Sequence, residues 1–269
     1  MVDKDKIIGL LQQLFGTTGK ITIDDLGLIS CTGSVKVKKS KQTTTLKRLP
    51  VSFDSVAGSF SCDNVGLTTL AGVPNSVGAD FSCTSNQLTS LAHSPQSVRG
   101  NFSCIGNRLT TLEHAPQNVG GDFACTGNRL TSLEGAPKSI RGNFWCGGNR
   151  LTTLQHAPQS VGGEFACTGN SLTSLVGAPK RVDGNFSCAG NELTTLEGLS
   201  DVKGTLVLSY SPTLPLLRCL LAQKVQFTGE IENKTVETIL NRYAGQGEAG
   251  AFVCGAELAD AGYKENARW

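Results

Sequence analysis

The chain has 269 residues, a formal net charge of +2, 32 glycines, ten cysteines and only 6% aromatic residues. The near-neutral charge disfavours a strongly basic nucleic-acid-binding protein and a chain with an acidic tail. No apolar run approaches the ~20 residues of a membrane-spanning helix, and residues 1–11 lack a signal-peptide pattern. We therefore expect a cytoplasmic protein with no membrane span.

Residues 1–58 are predicted to form an N-terminal cap on the segment that follows. Apolar residues within 3–15 have helical spacing, and Asp3 is a candidate N-cap. Residues 20–30 alternate like a strand, and residues 34–41 form a basic extended segment. Leu46 and Val56 lie one period before leucine and valine positions of the next segment, which indicates a degenerate first repeat.

A unit of 21 residues returns between residues 59 and 209, and its phenylalanines keep this interval throughout: Phe60, Phe81, Phe102, Phe123, Phe144, Phe165 and Phe186. Strict self-similarity at such a period predicts a solenoid. A cysteine follows each phenylalanine by two residues, so both are predicted to lie on the inner side of a short strand. Alternate copies are more alike, since Arg99 and Arg141 correspond to Gly120 and Gly162 in the neighbouring copies. A 42-residue duplication would explain this alternation.

An asparagine follows each repeat cysteine by three residues, except that Val65 follows Cys62, and this asparagine is predicted to be structural. A buried amide at this position can bond the backbone of adjacent turns, where no sheet hydrogen bond reaches. The leucines and the valine or isoleucine of each copy are predicted to complete the core.

The repeat decays after Asn191, and residues 210–269 are predicted to form a helical C-terminal cap. Residues 205–210 have the pattern of a closing strand. The segments that start near Thr213, Lys224, Asn233 and Glu248 are predicted to be helix, strand, helix and helix.

The pattern F-x-C-x-x-N-x-L resembles the core of the leucine-rich repeat, L-x-x-L-x-L-x-x-N-x-L, over roughly residues 39–209. Phe144 and Cys146 align with the central apolar positions, Asn149 with the asparagine and Leu151 with the last leucine. The spacing and the proline are most similar to the short bacterial class, and the C-terminal tail resembles bacteriophage proteins. The resemblance implies an α/β repeat solenoid with one parallel β-sheet on the concave face and a helix-poor convex side.

The sequence offers no constellation for catalysis, a cofactor or a metal. The seven repeat cysteines are interpreted as buried free thiols that act as small hydrophobic residues, since no C-x-x-C or histidine spacing suits zinc. Cys219 and Cys254 lie in apolar contexts and are interpreted as structural. His93, His114 and His156 share one surface position, and the G-x-G-x-x-G at 245–250 is predicted to be a turn between helices because no strand precedes it.

The predicted concave face holds the candidate partner-binding residues. Trp145 occupies a strand position where the other copies have serine or alanine, and an indole exposed on a sheet is a candidate for an interface. An acid-and-amide column stands before the phenylalanines, and an arginine column follows the asparagines. The candidates are Trp145, Asn101, Asp122, Asn143, Glu164, Arg108, Arg129, Arg150 and Ile105.

Two functions remain open from the sequence. The first is a non-enzymatic module that binds a protein on the concave face. The phage resemblance implies, as an expectation, that it inhibits or sequesters a host bacterial protein, for example a defence component. The alternative is nucleic-acid binding through Arg108, Arg129 and Arg150 with residues 36–41, which the near-neutral charge disfavours.

Overall fold

The computed structural model describes residues 2–39, 46–228 and 234–269, which form two compact units. The first unit comprises the described residues up to Leu130 together with Glu134–Arg141. The second comprises Thr131–Leu133 and the described residues from Gly142 to Trp269. Both consist of coils of a β-solenoid of about nine turns, with parallel sheets and few helices. The repeat solenoid predicted from the 21-residue period is thus confirmed.

In the described part of the N-terminal segment, the elements are one helix and five strands. Helix α1 (Lys4–Leu14) begins where predicted, because an oxygen of the Asp3 side chain accepts a hydrogen bond from the Lys6 backbone N–H at 3.0 Å. The strands that follow are β1 (Phe15–Thr17), β2 (Ile21–Ile23), β3 (Leu28–Cys31), β4 (Val35–Val37) and β5 (Ser52–Val56). The predicted basic segment contains β4, and its last two residues lie outside the described residues.

Each 21-residue copy contributes two strands of two residues. We call those that start at phenylalanine the phenylalanine strands and those that end in valine or isoleucine the valine strands. In chain order they are β6 (Phe60–Ser61), β7 (Ser76–Val77), β8 (Phe81–Ser82), β9 (Ser97–Val98), β10 (Phe102–Ser103), β11 (Asn118–Val119), β12 (Phe123–Ala124), β13 (Ser139–Ile140), β14 (Phe144–Trp145), β15 (Ser160–Val161), β16 (Phe165–Ala166), β17 (Arg181–Val182) and β18 (Phe186–Ser187).

The first unit contains two sheets. In the phenylalanine sheet, β4, β6, β8, β10 and β12 are parallel, and β1 is antiparallel to β4. In the valine sheet, β3, β5, β7, β9 and β11 are parallel, and β2 is antiparallel to β3. Equivalent residues face each other between neighbouring copies, for example Phe60 with Phe81 and Val77 with Val98.

The second unit also contains phenylalanine strands and valine strands, and it ends in longer strands and helices. Parallel pairing runs through β14, β16 and β18 to β19 (Val202–Ser209), and through β15 and β17 to the same strand. Strand β20 (Ala222–Thr228) pairs with β19. A 3₁₀ helix (Leu217–Leu221), α2 (Lys234–Tyr243) and α3 (Glu248–Asp260) complete the described elements of this segment.

Three predictions about strands and helices need correction. The resemblance implied one sheet per coil, but the serine–valine pairs form a second sheet, because their backbones pair in register with the next copy. The strand at 205–210 does not close its sheet, because β20 adds to it. The helix predicted near Thr213 is only the short 3₁₀ helix, since Pro212 and Pro215 restrict the chain before it.

A further coil near the N-terminus escaped the sequence analysis. Cys31 pairs with Val56, and Val35 pairs with Phe60, so β3 and β4 take the places of a valine strand and a phenylalanine strand. The spacing Cys31-x-Gly33-x-Val35 is that of valine, glycine and phenylalanine in the later copies. This spacing is the feature of the sequence that could have revealed the additional coil.

The core is a set of columns in which equivalent apolar residues of neighbouring coils stack on one another. The seven repeat phenylalanines are at most 1% exposed. Phe60 and Phe81 stack with ring centroids 5.9 Å apart, and Phe144 and Phe165 with centroids 5.8 Å apart. Leucines and cysteines fill the columns beside them, as predicted.

The asparagine column bonds the backbone as predicted. In the first unit, Asn107 Oδ1 accepts from the Leu88 backbone N–H at 3.1 Å, and its Nδ2 donates to the carbonyls of Cys83 and Cys104 at 3.0 Å each. The amide therefore satisfies polar groups of its own coil and of the preceding one.

The ten cysteines, all within the described residues, are buried and carry free thiols. Desolvation raises the pKa of Cys104 and of Cys188 to about 12, and it raises the pKa of Cys83 and Cys167 well above the ordinary thiol range. Burial thus keeps these thiols protonated at neutral pH, as suits small hydrophobic residues.

We predict that Asn107→Ala lowers the free energy of unfolding by ~2–4 kcal/mol, because it leaves several buried backbone groups unpaired. Urea unfolding measures the loss. Arg108→Ala, at the exposed neighbouring position, is the control and should stay within ~0.5 kcal/mol of the parent. Equal stabilities of the two variants would contradict the role assigned to the amide.

We also predict that the protein loses stability at alkaline pH. The pKa of an unfolded thiol is ~8.5, whereas burial raises that of Cys104 to about 12. Between these values the folded state holds protons that the unfolded state releases. The free energy of unfolding therefore falls as pH rises above ~8.5, by up to ~1.4 kcal/mol per pH unit for each buried thiol.

Urea unfolding across this pH range measures the slope. The double variant Cys104→Ala/Cys188→Ala should have a lower stability at neutral pH but a shallower alkaline slope than the parent. An unchanged slope would show that other groups cause the loss.

Candidate functional site

The outer face of the phenylalanine sheet carries the side chains that alternate with the buried phenylalanines and cysteines. It holds Trp145, Glu164 and the acid-and-amide column that the sequence analysis selected. The first unit contains the candidates Asn101, Asp122, Ile105, Arg108 and Arg129, and the second contains Trp145, Asn143, Glu164 and Arg150.

The acid-and-amide column forms a hydrogen-bonded ladder between coils. In the first unit, Asp80 Oδ1 accepts from the Asn101 backbone N–H at 2.8 Å, and Asn101 Oδ1 accepts from the Asp122 N–H at 2.7 Å. In the second unit, Asn143 Oδ1 accepts from the Glu164 N–H at 2.7 Å. These side chains therefore join successive coils, a structural task that the sequence analysis did not foresee.

The ladder explains the glycine two residues before most of the phenylalanines. A Cβ built on Gly121 would lie 2.2 Å from Asn101 Oδ1, and one on Gly163 would lie 2.3 Å from Asn143 Oδ1. The side chain of one coil thus fills the space that a Cβ of the next coil would need.

The chain contains its own exception to this glycine rule. Ala79 stands at the glycine position where the ladder residue of the preceding coil is Ser59, whose shorter side chain accepts from the Asp80 N–H at 3.3 Å. The pair Ser59 and Ala79 therefore replaces the usual combination of amide or acid with glycine.

A polar network covers the start of this face in the first unit. The Asp63 carboxylate accepts hydrogen bonds from the Ser61 hydroxyl at 2.9 Å, the Ser82 hydroxyl at 2.5 Å and the Thr84 backbone N–H at 2.7 Å. The Thr84 hydroxyl lies 3.0 Å from that of Ser103. These residues were absent from the predicted site, and their bonds link three successive coils.

Trp145 is held by a carboxylate in the second unit. Its Nε1–H donates to Glu164 Oε2 at 3.1 Å, and Ser187 donates its hydroxyl to Glu164 Oε1 at 2.7 Å. We call these three residues the tryptophan clamp. Trp145 pairs in register with Ala166, whose small side chain leaves room beside the ring, and the indole is partly exposed. Trp145 and Glu164 are among the candidates predicted from the sequence, whereas Ser187 is not.

The remaining candidates are solvent-accessible to different degrees. Arg108 and Arg129 of the first unit are exposed, as is Arg150 of the second, and Ile105 is partly exposed.

The residues considered for chemistry have structural explanations. His93, His114 and His156 have φ values of 68°, 66° and 67°, at the position where other copies have a left-handed glycine. Gly245 and Gly247 lie between α2 and α3, as predicted. Among the described residues, no group of three His, Cys, Asp or Glu side chains is placed to hold a metal ion.

We predict that Gly121→Ala destabilises the protein by ~1–3 kcal/mol, because its Cβ displaces the Asn101 side chain. The double variant Asn101→Ser/Gly121→Ala reproduces the Ser59 and Ala79 pair and should lose less than the sum of the single variants. Urea unfolding of the four proteins completes the cycle. Additive losses would refute the contact between coils.

Comparisons with protein-family models, with curated proteins and with solved structures find no match to this chain. In the part of the chain that the structure describes, no helix combines the length and apolar character needed to cross a membrane. The candidate site therefore stands on its own geometry.

Proposed function

We propose that the protein is a non-enzymatic protein-binding module and that Trp145 is the anchor for its partner. The observation that carries this proposal is the tryptophan clamp, in which Glu164 fixes both Trp145 and Ser187 on the outer face of the second unit. Such an arrangement has no evident part in the core, since Phe144 and Cys146 of the same copy fill the interior columns.

The clamp favours binding because it restrains the indole before a partner arrives. Ordering a free side chain at an interface costs ~0.5–1.5 kcal/mol. A ring already held by a hydrogen bond at 3.1 Å avoids much of this cost. Tryptophan is also enriched among the residues that dominate binding energy.

The surroundings of the clamp suit a small interface with an apolar centre. Ala166 and Val207 lie on the same outward row as Trp145 and Ser187, and both are partly exposed. The Glu164 carboxylate provides a polar border beside the ring. An apolar centre with a polar rim is the usual organisation of protein interfaces.

The finer expectation, a phage-type protein that inhibits or sequesters a host bacterial protein, rests on the sequence resemblance alone. Nucleic-acid binding through Arg108, Arg129 and Arg150 gains no support from the clamp. It predicts a different dependence, namely affinity that falls steeply with salt and is insensitive to Trp145.

We predict that Trp145→Ser reduces affinity for the partner by ~30-fold or more, because loss of a buried tryptophan anchor costs ~2 kcal/mol or more. Serine stands at this position in four other copies, so the melting temperature should change little. Quantitative affinity purification from a bacterial lysate identifies proteins whose capture depends on Trp145. Titration with the purified partner then gives the affinity.

Trp269→Ser is the matched control, because Trp269 is also in the second unit and is 37% exposed. It should retain the proteins that Trp145→Ser loses. Glu164→Ala removes one hydrogen bond of the indole but keeps the ring, and should weaken binding less than Trp145→Ser. The proposal fails if captured proteins bind the parent and Trp145→Ser equally well.

A further inference from the structure

A basic groove of the first unit is lined by residues in or beside β9, β11 and β13. Its volume is about 660 Å³, and its lining includes Arg99, Lys138 and Arg141 together with Ser97 and Asn118. We call it the arginine groove. The three cationic side chains are exposed, while the valines of β9 and β11 beneath them are buried.

The alternation of the repeat creates the opening between the two arginines. They occupy the position after the valine strand, and Gly120 occupies it in the copy between them. A Cβ built on Gly120 would lie 1.9 Å from the Arg99 carbonyl oxygen, so a side chain there requires the backbone to move.

The charge of the arginine groove is not neutralised by the protein. No carboxylate lines it. None of the three cations is in an ion pair with any residue that the structure describes. The second unit shows the contrasting arrangement, because Asp183 at the equivalent repeat position accepts from Arg181 at 2.9 Å and from Lys203 at 2.7 Å.

We propose that the arginine groove binds a ligand that carries two or more linked phosphate groups. Guanidinium groups match phosphate oxygens with paired donors, and lysine adds a compact charge. Two arginines on either side of an open gap favour an extended anion that contacts both. The hydroxyl of Ser97 and the amide of Asn118 offer further donors along the groove.

The residues that line the groove disfavour single-stranded nucleic acid, the other polyanion that its positive charge could attract. Single-stranded nucleic acids are usually held by aromatic side chains on which their bases stack. The groove lining contains no aromatic residue. Binding of an oligonucleotide is therefore the competing outcome of the test.

The test is a calorimetric titration with sodium tripolyphosphate, pyrophosphate, inorganic phosphate and oligothymidylate. The groove variant is Arg99→Gly/Arg141→Gly, because glycine stands at the equivalent position in other copies, as Gly78 and Gly120. The control is Arg108→Ser/Arg129→Ser, which carries the residue found at Ser171 in their own column. Each double variant removes two positive charges, so net charge is matched, and thermal unfolding confirms that both are folded.

We expect the parent to bind tripolyphosphate more tightly than pyrophosphate, and inorganic phosphate least. The groove variant should lose ~100-fold in affinity, about tenfold for each charge-assisted contact, while the control stays within about threefold. The proposal is overturned if the parent does not bind tripolyphosphate, if the groove variant binds it as well as the parent, or if both double variants lose equally. Tighter binding of oligothymidylate than of tripolyphosphate also overturns it, in favour of a nucleic-acid site.

Discussion

The structure depends on one constraint, the in-register stacking of each residue on its own counterpart 21 residues away. Phe60 faces Phe81 and Val77 faces Val98 because neighbouring coils pair without a shift. Each side chain therefore packs against the equivalent side chain of the next coil. A position in the repeat suits residue types that pack or hydrogen-bond well with their own kind. Stacked phenylalanine rings, neutral thiols and asparagine amides all meet this condition, whereas a column of like charges in the core would not.

The same constraint distinguishes the residues that build the solenoid from those that can serve recognition. A residue that recurs in every copy is explained by its packing in a column, as the buried phenylalanines illustrate. Recognition must come from the departures, such as Trp145 among serines and alanines, or Gly120 between two arginines. Both departures alter a surface without disturbing the interior, so the solenoid can carry them at little cost to its stability.

The features that could be predicted from the sequence are those set by the repeat period or by contacts between residues close together in the chain. The period placed Phe144 and Cys146 inside, and Asp3 was recognisable as a cap because its bond is local. The valine sheet was missed, since strands of two residues have no alternation to detect. The tasks of Asn101 and Ser187 were missed because their partners lie about one repeat away, at distances that residue identity does not reveal. The role of residues 1–58 and 210–269 as caps remains a prediction.

The contact between a ladder side chain and the glycine of the next coil also bears on how such a gene can change length. Asn101 and Gly121 belong to successive copies, and Ser59 and Ala79 form the equivalent pair. Recombination between repeats that joined an asparagine to an alanine would bring the two into collision. Copies can therefore be gained or lost with least damage where the crossover keeps each ladder residue with its compatible neighbour. The number of repeats can change during evolution, but only some crossover points preserve the fold.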